Sequence, residues 1–224
     1  MIPHPVGHWR SWSLLVGLGL AAISATVSAD EPVRWVLDNT ARIAGLTPEV
    51  LGAPKIVQSA AGDALEFDGT KDGIFLPANP LQGRTQFTIE VLFWPETGGP
   101  EQQRFVHLQD EAGSRGLIET RLDGKGGWWL DTFLWKSGEG KPLIDPQKVH
   151  PTGHWYWAAL RYDGKTATHF VNGVQERQVD VEFGPMGPGR VSLGVRQNKV
   201  YWFKGRIREI RFHSTALAAE ELQR

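Results

Sequence analysis

The chain has 224 residues, with 24 Lys plus Arg against 25 Asp plus Glu, and no cysteine. Near-neutral charge removes the electrostatic basis for binding nucleic acid, and the missing cysteines exclude both disulfides and a lipidated cysteine anchor. Ten Trp and 26 Gly suit an all-β protein with many turns.

Residues 1–29 read as a signal peptide. Arg10 supplies a positive start, Leu14 to Ile23 is apolar but too short to span a bilayer, and Val27 and Ala29 are compact residues at the −3 and −1 positions of a cleavage site. Residues 30–224 then form one exported domain. Without disulfides, a bacterial periplasmic or extracellular setting is expected. No later segment reaches the length of a membrane span.

Downstream, Arg34 to Leu37 is a short strand. "ALEFDGTKDGIFLP" gives strands Ala64 to Phe67 and Gly73 to Leu76 around an Asp68-Gly69 turn. "QFTIEVLFWP" alternates from Phe87 to Trp94, with Phe87, Ile89, Val91 and Phe93 on one face and Thr88, Glu90, Leu92 and Trp94 on the other. "RFVHLQD" and "GLIETRLDGKGGWWLDTFLW" supply further strands, the latter two joined through Asp123-Gly124 and Gly126-Gly127. Strand 155–162, Asp163-Gly164, strand 166–171, Asn172-Gly173 and a strand from Val174 make a three-strand meander. Both dipeptides suit type I′ turns. In the last strand, "FKGRIREIRFH", Ile207 and Ile210 are out of alternation, which predicts a bulge, and a helical turn closes the chain. With no helix of any length, the expected fold is all-β, a two-sheet antiparallel β-sandwich or jelly roll.

Four of these segments, in this order, resemble the laminin-G-like jelly roll of the concanavalin A-like lectin/glucanase superfamily. They are "ALEFDGTKDGIFLP", "FTIEVLFWPE", "GHWYWAALRYDGKTATHFVNGVQ" and "FKGRIREIRFHSTALAAEEL". The resemblance implies a fold that hosts lectins, glycosidases, lyases and adhesion modules alike. It also implies that Ile89, Val91, Phe93, Ala158, Leu160 and Tyr162 lie between the sheets. Glu90, Leu92, Trp94, Trp157, Ala159 and Arg161 would then line the concave side of one sheet, and Trp155, the strand-opening Trp, would pack structurally.

The Glu-x-Asp-x-x-Glu carboxylate motif of the superfamily's glucanases is absent. Its nearest counterpart is "LIETRLD", in which Glu119, Arg121 and Asp123 share a face. Carboxylates four apart on a strand lie roughly 13 Å apart at about 3.3 Å per residue, too far for paired catalysis, so Arg121 reads as their charge partner. Lyase chemistry would need Arg121 or Arg161 with His107 or Tyr156, and no spacing demands it. Of Trp128 and Trp129, one packs inward and one is exposed. Trp129 shares its phase with Asp131, Phe133 and Trp135, as either a second core face or an aromatic platform. His169 falls on the core-facing phase. Asp38 and Asn39 occupy the family's calcium position near the first strand, but Arg208 stands where the closing strand's Asp would be. The resulting expectation is a non-catalytic module binding a glycan or cell-surface polymer through Glu90, Trp94, Glu119, Arg121, Trp129, Trp157 and Arg161, with structural Ca²⁺ as an option at Asp38 and Asn39. A hydrolase or lyase on the same fold, or a protein-adhesion module, is the alternative.

Overall fold

The computed structural model describes residues 1–3 and 31–224, so the leader read at 1–29 falls almost entirely outside the described residues. The strands are β1 (Val33–Val36), β2 (Glu49–Leu51), β3 (Lys55–Val57), β4 (Ala64–Asp68), β5 (Gly73–Leu76), β6 (Phe87–Pro95), β7 (Gln102–Asp110) and β8 (Arg115–Leu122). There follow β9 (Gly127–Lys136), β10 (Glu139–Ile144), β11 (His150–Pro151), β12 (Tyr156–Tyr162), β13 (Thr166–Val171), β14 (Val174–Asp180), β15 (Gly189–Leu193) and β16 (Lys204–His213). A 3-10 turn, Ala219–Glu221, stands in for the expected terminal helical turn.

These strands form two eight-stranded antiparallel sheets. The first runs β14-β13-β12-β6-β16-β4-β3, with β1 also on β16; the second runs β10-β9-β8-β7-β15-β5-β2, with β11 also on β9. Alternation along each strand sends one set of side chains between the sheets. Ile89, Val91, Phe93, Ala158 and Leu160 are fully buried there, and Tyr162 nearly so. At the centre, Phe93 of the first sheet stacks on Phe105 of the second at 4.3 Å and meets Trp128 edge-on at 5.1 Å. Truncating a side chain so placed costs about 3–5 kcal/mol. The architecture is the expected β-sandwich.

Local chemistry explains where the sequence reading held and where it slipped. The β16–β6 register shifts between Ile207 and Glu209, so the predicted bulge absorbs Arg208 and both Ile207 and Ile210 point inward. Asn172 (φ 48°) and Gly173 (φ 74°) both take the left-handed conformation of a tight two-residue turn. Asp163-Gly164 does not. The loop there is Asp163-Gly164-Lys165, with positive φ only at Gly164, because Asp163 Oδ1 accepts the N–H groups of Lys165 and Thr166. Asp68-Gly69 is likewise no hairpin. Asp68 Oδ1 accepts three successive N–H groups, from Thr70, Lys71 and Asp72, and the chain crosses from β4 in the first sheet to β5 in the second. Tyr156, rather than Trp155, enters the core: its ring packs on Trp128, while Trp155 lies outside and meets Trp94 edge-on at 5.7 Å.

The segment after β16 folds back over the outer face of the first sheet. Leu217 and Leu222 pack on Ala159 and Phe170. Thr88 Oγ1 donates to the Thr215 carbonyl and accepts from Leu217 N–H, while Gln223 N–H donates to Glu90 Oε1. The polar outward positions Thr88 and Glu90 of β6 are thereby buried by the chain's own tail, and Arg161 of β12 is partly covered.

Candidate functional site

The seven residues predicted to touch ligand divide between the two outer faces of the sandwich. Glu90, Trp94, Trp157 and Arg161 lie on the first sheet; Glu119, Arg121 and Trp129 lie on the second. No one ligand contact patch holds all seven. On the first sheet, Glu90 Oε2 bonds His213 Nε2 at 2.8 Å, and its other oxygen serves the tail. Arg161 donates to the Leu217 carbonyl and Thr168 Oγ1. These two side chains hold the C-terminal segment. Trp157 and Trp94 are half-buried beside it, with Arg211 and Arg206 over their rings at 5.0 and 5.4 Å.

The second sheet carries the denser constellation. Outward alternation on β9 aligns Trp129, Asp131, Phe133 and Trp135, while their inward neighbours Trp128, Leu130 and Leu134 are buried. Trp129, Phe133 and Trp135 are therefore an outer-face row and not a second core face. At about 3.3 Å per residue the row is roughly 20 Å long. Opposite it on β8 stand Arg115, Leu117, Glu119 and Arg121, in register with Trp135, Phe133, Asp131 and Trp129. Trp129 also walls a cleft of about 780 Å³ between the Thr97–Gly99 loop and the Asp123–Gly127 turn.

Glu119 and Asp131 are each 3% exposed and face each other across the strand pair. Arg121 bridges them: Nε and Nη2 reach Asp131 Oδ2 at 2.8 and 2.6 Å, and Nη2 lies 3.8 Å from Glu119 Oε2. From β7, Arg104 Nε comes to 3.0 Å from the same Glu119 oxygen. Burial first, and then the Asp131 charge, push the Glu119 carboxyl up to about 7, against the pull of both arginines. Asp131 is raised too, mainly by burial, with Arg121 opposing. The partner of Glu119 is thus Asp131 on the next strand and not Asp123, which is exposed in the turn, where its Oδ1 accepts from Lys125 and Gly127 N–H.

Three elements the sequence did not connect complete the face. Tyr201 lies against Arg104, with 3.7 Å between guanidinium carbon and ring centroid, and Tyr201 carbonyl accepts from Arg104 N–H. Lys199 (φ 61°) and Tyr201 (φ 60°) both hold left-handed backbone without being glycine, a cost that structures tolerate most often where a side chain must be aimed. Arg115 lies over Trp135 at 4.4 Å. Arg104, Arg115, Arg196 and Tyr201 surround the carboxylates in a depression of about 270 Å³. Beneath it His107 accepts Gln197 N–H at Nδ1, and burial plus the charges of Arg196, Arg115, Arg104 and Arg190 hold it neutral, with its pKa down to about 3.

Asp38 and Asn39 form a local turn. Asn39 Oδ1 accepts from Ala41 and Arg42 N–H, and Asn39 Nδ2 donates to Asp38 Oδ1. Arg208 Nε turns to the Ala61 carbonyl. Among the described residues no group of three or more His, Cys, Asp or Glu is placed to hold a metal ion, and no helix is long and apolar enough to cross a membrane.

Comparison with known proteins places this geometry in context. No curated protein matches the sequence. Among solved structures, the chain is similar to domain 4 of AbnA, a GH43 extracellular arabinanase from Geobacillus stearothermophilus, in complex with arabinotriose. The TM-score is 0.58 at 20% identity, over 86% of this chain and 97% of that one. It is also similar to the binding domain of Paraclostridial Mosquitocidal Protein 1 (TM-score 0.64, 15% identity, 85% of this chain and 50% of that one). The botulinum neurotoxin serotype G binding domain gives TM-score 0.63 at 10% identity, over 84% of this chain and 49% of that one. The chain spans about half the length of these toxin chains, and at such identities the likeness is one of fold. A laminin-G family model matches residues 68–223, well over half of the sequence, and the chain belongs to the concanavalin A-like lectin/glucanases superfamily.

Proposed function

We infer that this chain is an exported, non-catalytic glycan-binding module whose ligand lies along the outer face of the second sheet. The observation that carries this reading is the outward row Trp129, Asp131, Phe133 and Trp135, set beside Glu119 and Arg121 on rigid paired strands. Saccharides are recognised by flat aromatic faces that stack on the ring and by fixed polar groups that meet the hydroxyls, and this face offers both. The arabinotriose bound by the similar arabinanase domain supports a saccharide as ligand. Export rests on the leader at 1–29 and the absence of cysteine. Trp94 and Trp157 form a smaller second platform on the opposite sheet; Glu90 and Arg161 serve the C-terminal segment. The reading needs no metal.

Its test is a panel of neutral and acidic polysaccharides offered to the mature protein, with affinity electrophoresis and calorimetry as readouts. Trp129→Ala should weaken binding about 10- to 100-fold, the weight of one stacked ring, and Trp157→Ala should change it less than threefold. A blank panel with protein that circular dichroism shows to be folded would sink the reading.

One observation favours a second reading, hydrolysis at the same face. Glu119 titrates near neutrality beside Asp131, the arrangement a general acid and its partner carboxylate require. Reducing ends released from any panel member, and abolished by Glu119→Gln, would establish it.

A further inference from the structure

We propose that the depression between Arg104, Arg115, Arg196 and Tyr201 is a subsite for the acid group of an anionic saccharide, a uronate carboxylate or a sulfate ester. The inference rests on the glycan-binding reading and adds the ligand's charge. Four guanidinium groups line the depression and only two carboxylates do. Arg121 is committed to Asp131 and Arg104 to Glu119. Arg115 and Arg196 have no ion-pair partner and no side-chain hydrogen bond among the described residues. The face therefore keeps two positive charges that nothing in the fold neutralises.

Their placement is what an oxyanion needs. Arg115 lies against Trp135 at 4.4 Å, with Phe133 at 5.8 Å, so its plane is held while the in-plane N–H groups stay free. A guanidinium fixed in this way presents a rigid pair of donors to a carboxylate or sulfate. Arg196 sits at the base of the loop closed by Arg196 N–H to Val200 carbonyl (3.2 Å) and Lys199 N–H to Arg196 carbonyl (2.8 Å). The two left-handed residues of that loop, Lys199 and Tyr201, keep it folded over the face. Arg115 and Arg196 also repel one another: burial and the Arg196 charge both act against protonated Arg115. A bound anion would relieve that repulsion. Arg104 Nε, though 3.0 Å from Glu119 Oε2, makes no aligned hydrogen bond, so a buried donor also borders the depression. The Phe133–Trp135 rings, continuous with Trp129, favour a saccharide carrying the acid group over a free inorganic ion.

The experiment offers full-length mature protein four matched probes: oligogalacturonate, its methyl ester, a sulfated galactan oligosaccharide and the same oligosaccharide desulfated. Affinity is read by calorimetry across a salt series. At least one acidic probe should bind roughly tenfold or more tighter than its neutral counterpart, the weight of one charge-assisted contact, and should weaken as salt rises. Which acidic probe binds identifies carboxylate or sulfate. Arg115→Ala and Arg196→Ala should each cost about tenfold for that probe and clearly less for its neutral counterpart, so that the preference for the acidic probe collapses, and Arg115→Lys should recover only part of the loss. Arg211→Ala, on the other sheet, is the control. Equal binding of acidic and neutral probes would overturn the acid subsite and leave the glycan reading standing. If no saccharide binds the folded protein, the glycan reading falls first and the subsite with it.

Discussion

Replacing Glu119 by Gln should remove a pH dependence of stability that the buried carboxyl imposes. Its ordinary pKa of 4.5 rises to about 7 in the folded chain. Below pH 4.5 the carboxyl is protonated in both states. Between 4.5 and 7 the unfolded chain releases the proton and the folded chain retains it, so stability falls as pH rises. Above 7 the penalty is constant. Two and a half pH units at about 1.36 kcal/mol each amount to about 3 kcal/mol, a figure the near-complete burial of Glu119 does not dilute. The Gln carbonyl oxygen can still face Arg104, so the variant changes little besides the titration. Urea midpoints of both proteins between pH 4.5 and 8 are the assay. The stability of Glu119→Gln relative to the parent should climb by about 3 kcal/mol across that range. Contributions from the histidines are common to both and drop out of the difference, whereas Asp131, coupled to Glu119 by charge, titrates with it as a pair. A difference that stays flat, or falls with pH, would refute the assignment of the buried charge.

Other predictions concern the core and the face. His169 is buried between the sheets, bonded to Thr132 at 3.2 Å, and kept neutral by burial with its pKa down to about 3. The unfolded chain takes up the proton below about 6.5, so stability should be lost as pH falls from 6.5 toward 3. His169→Phe should flatten that acid limb by about 3 kcal/mol at pH 4 relative to pH 7, measured by chemical denaturation. Gly194 combines φ +76° with a Cβ position that would collide with the Phe67 ring. Gly194→Ala should therefore cost on the order of 3 kcal/mol in melting experiments. Arg104→Ala should lower saccharide affinity and also stability, because it leaves Glu119 buried without its nearest counter-charge.

Most of the fold was legible because it is written in local chemistry. Alternation from Phe87 to Trp94 set the faces of β6, and the three-residue spacing of Ile207 and Ile210 announced the β16 bulge. Asn172-Gly173 fixed one turn correctly. Asp163-Gly164 misled because an Asp side chain can bond ahead to the backbone and lengthen the loop by a residue. The site was half legible. Glu119 and Arg121 were visible in "LIETRLD", but their pairing is a property of strand register, and the hairpin centred on Asp123 to Gly126 already places Asp131 opposite Glu119. That signal was available and was missed in favour of spacing along one strand. Arg104, Arg196 and Tyr201 reach the face from remote parts of the chain, which no local pattern reveals. The tail that covers Glu90 and Arg161 was equally silent, since Leu217 and Leu222 become informative only once Ala159 and Phe170 lie beneath them.

The position of β16 bears on when such a chain can complete its fold. Residues 204–213 lie between β6 and β4 and also receive β1, so the first sheet lacks its middle until the C-terminal strand arrives. Pairing across so much intervening sequence is slow and cannot be completed by a partial chain. For a protein exported as proposed, the polypeptide would stay threadable while it crosses the membrane and lock shut only on the far side. The same order leaves the edges of β4 and β6 open during passage, when the chain is most exposed to pairing with another copy of itself.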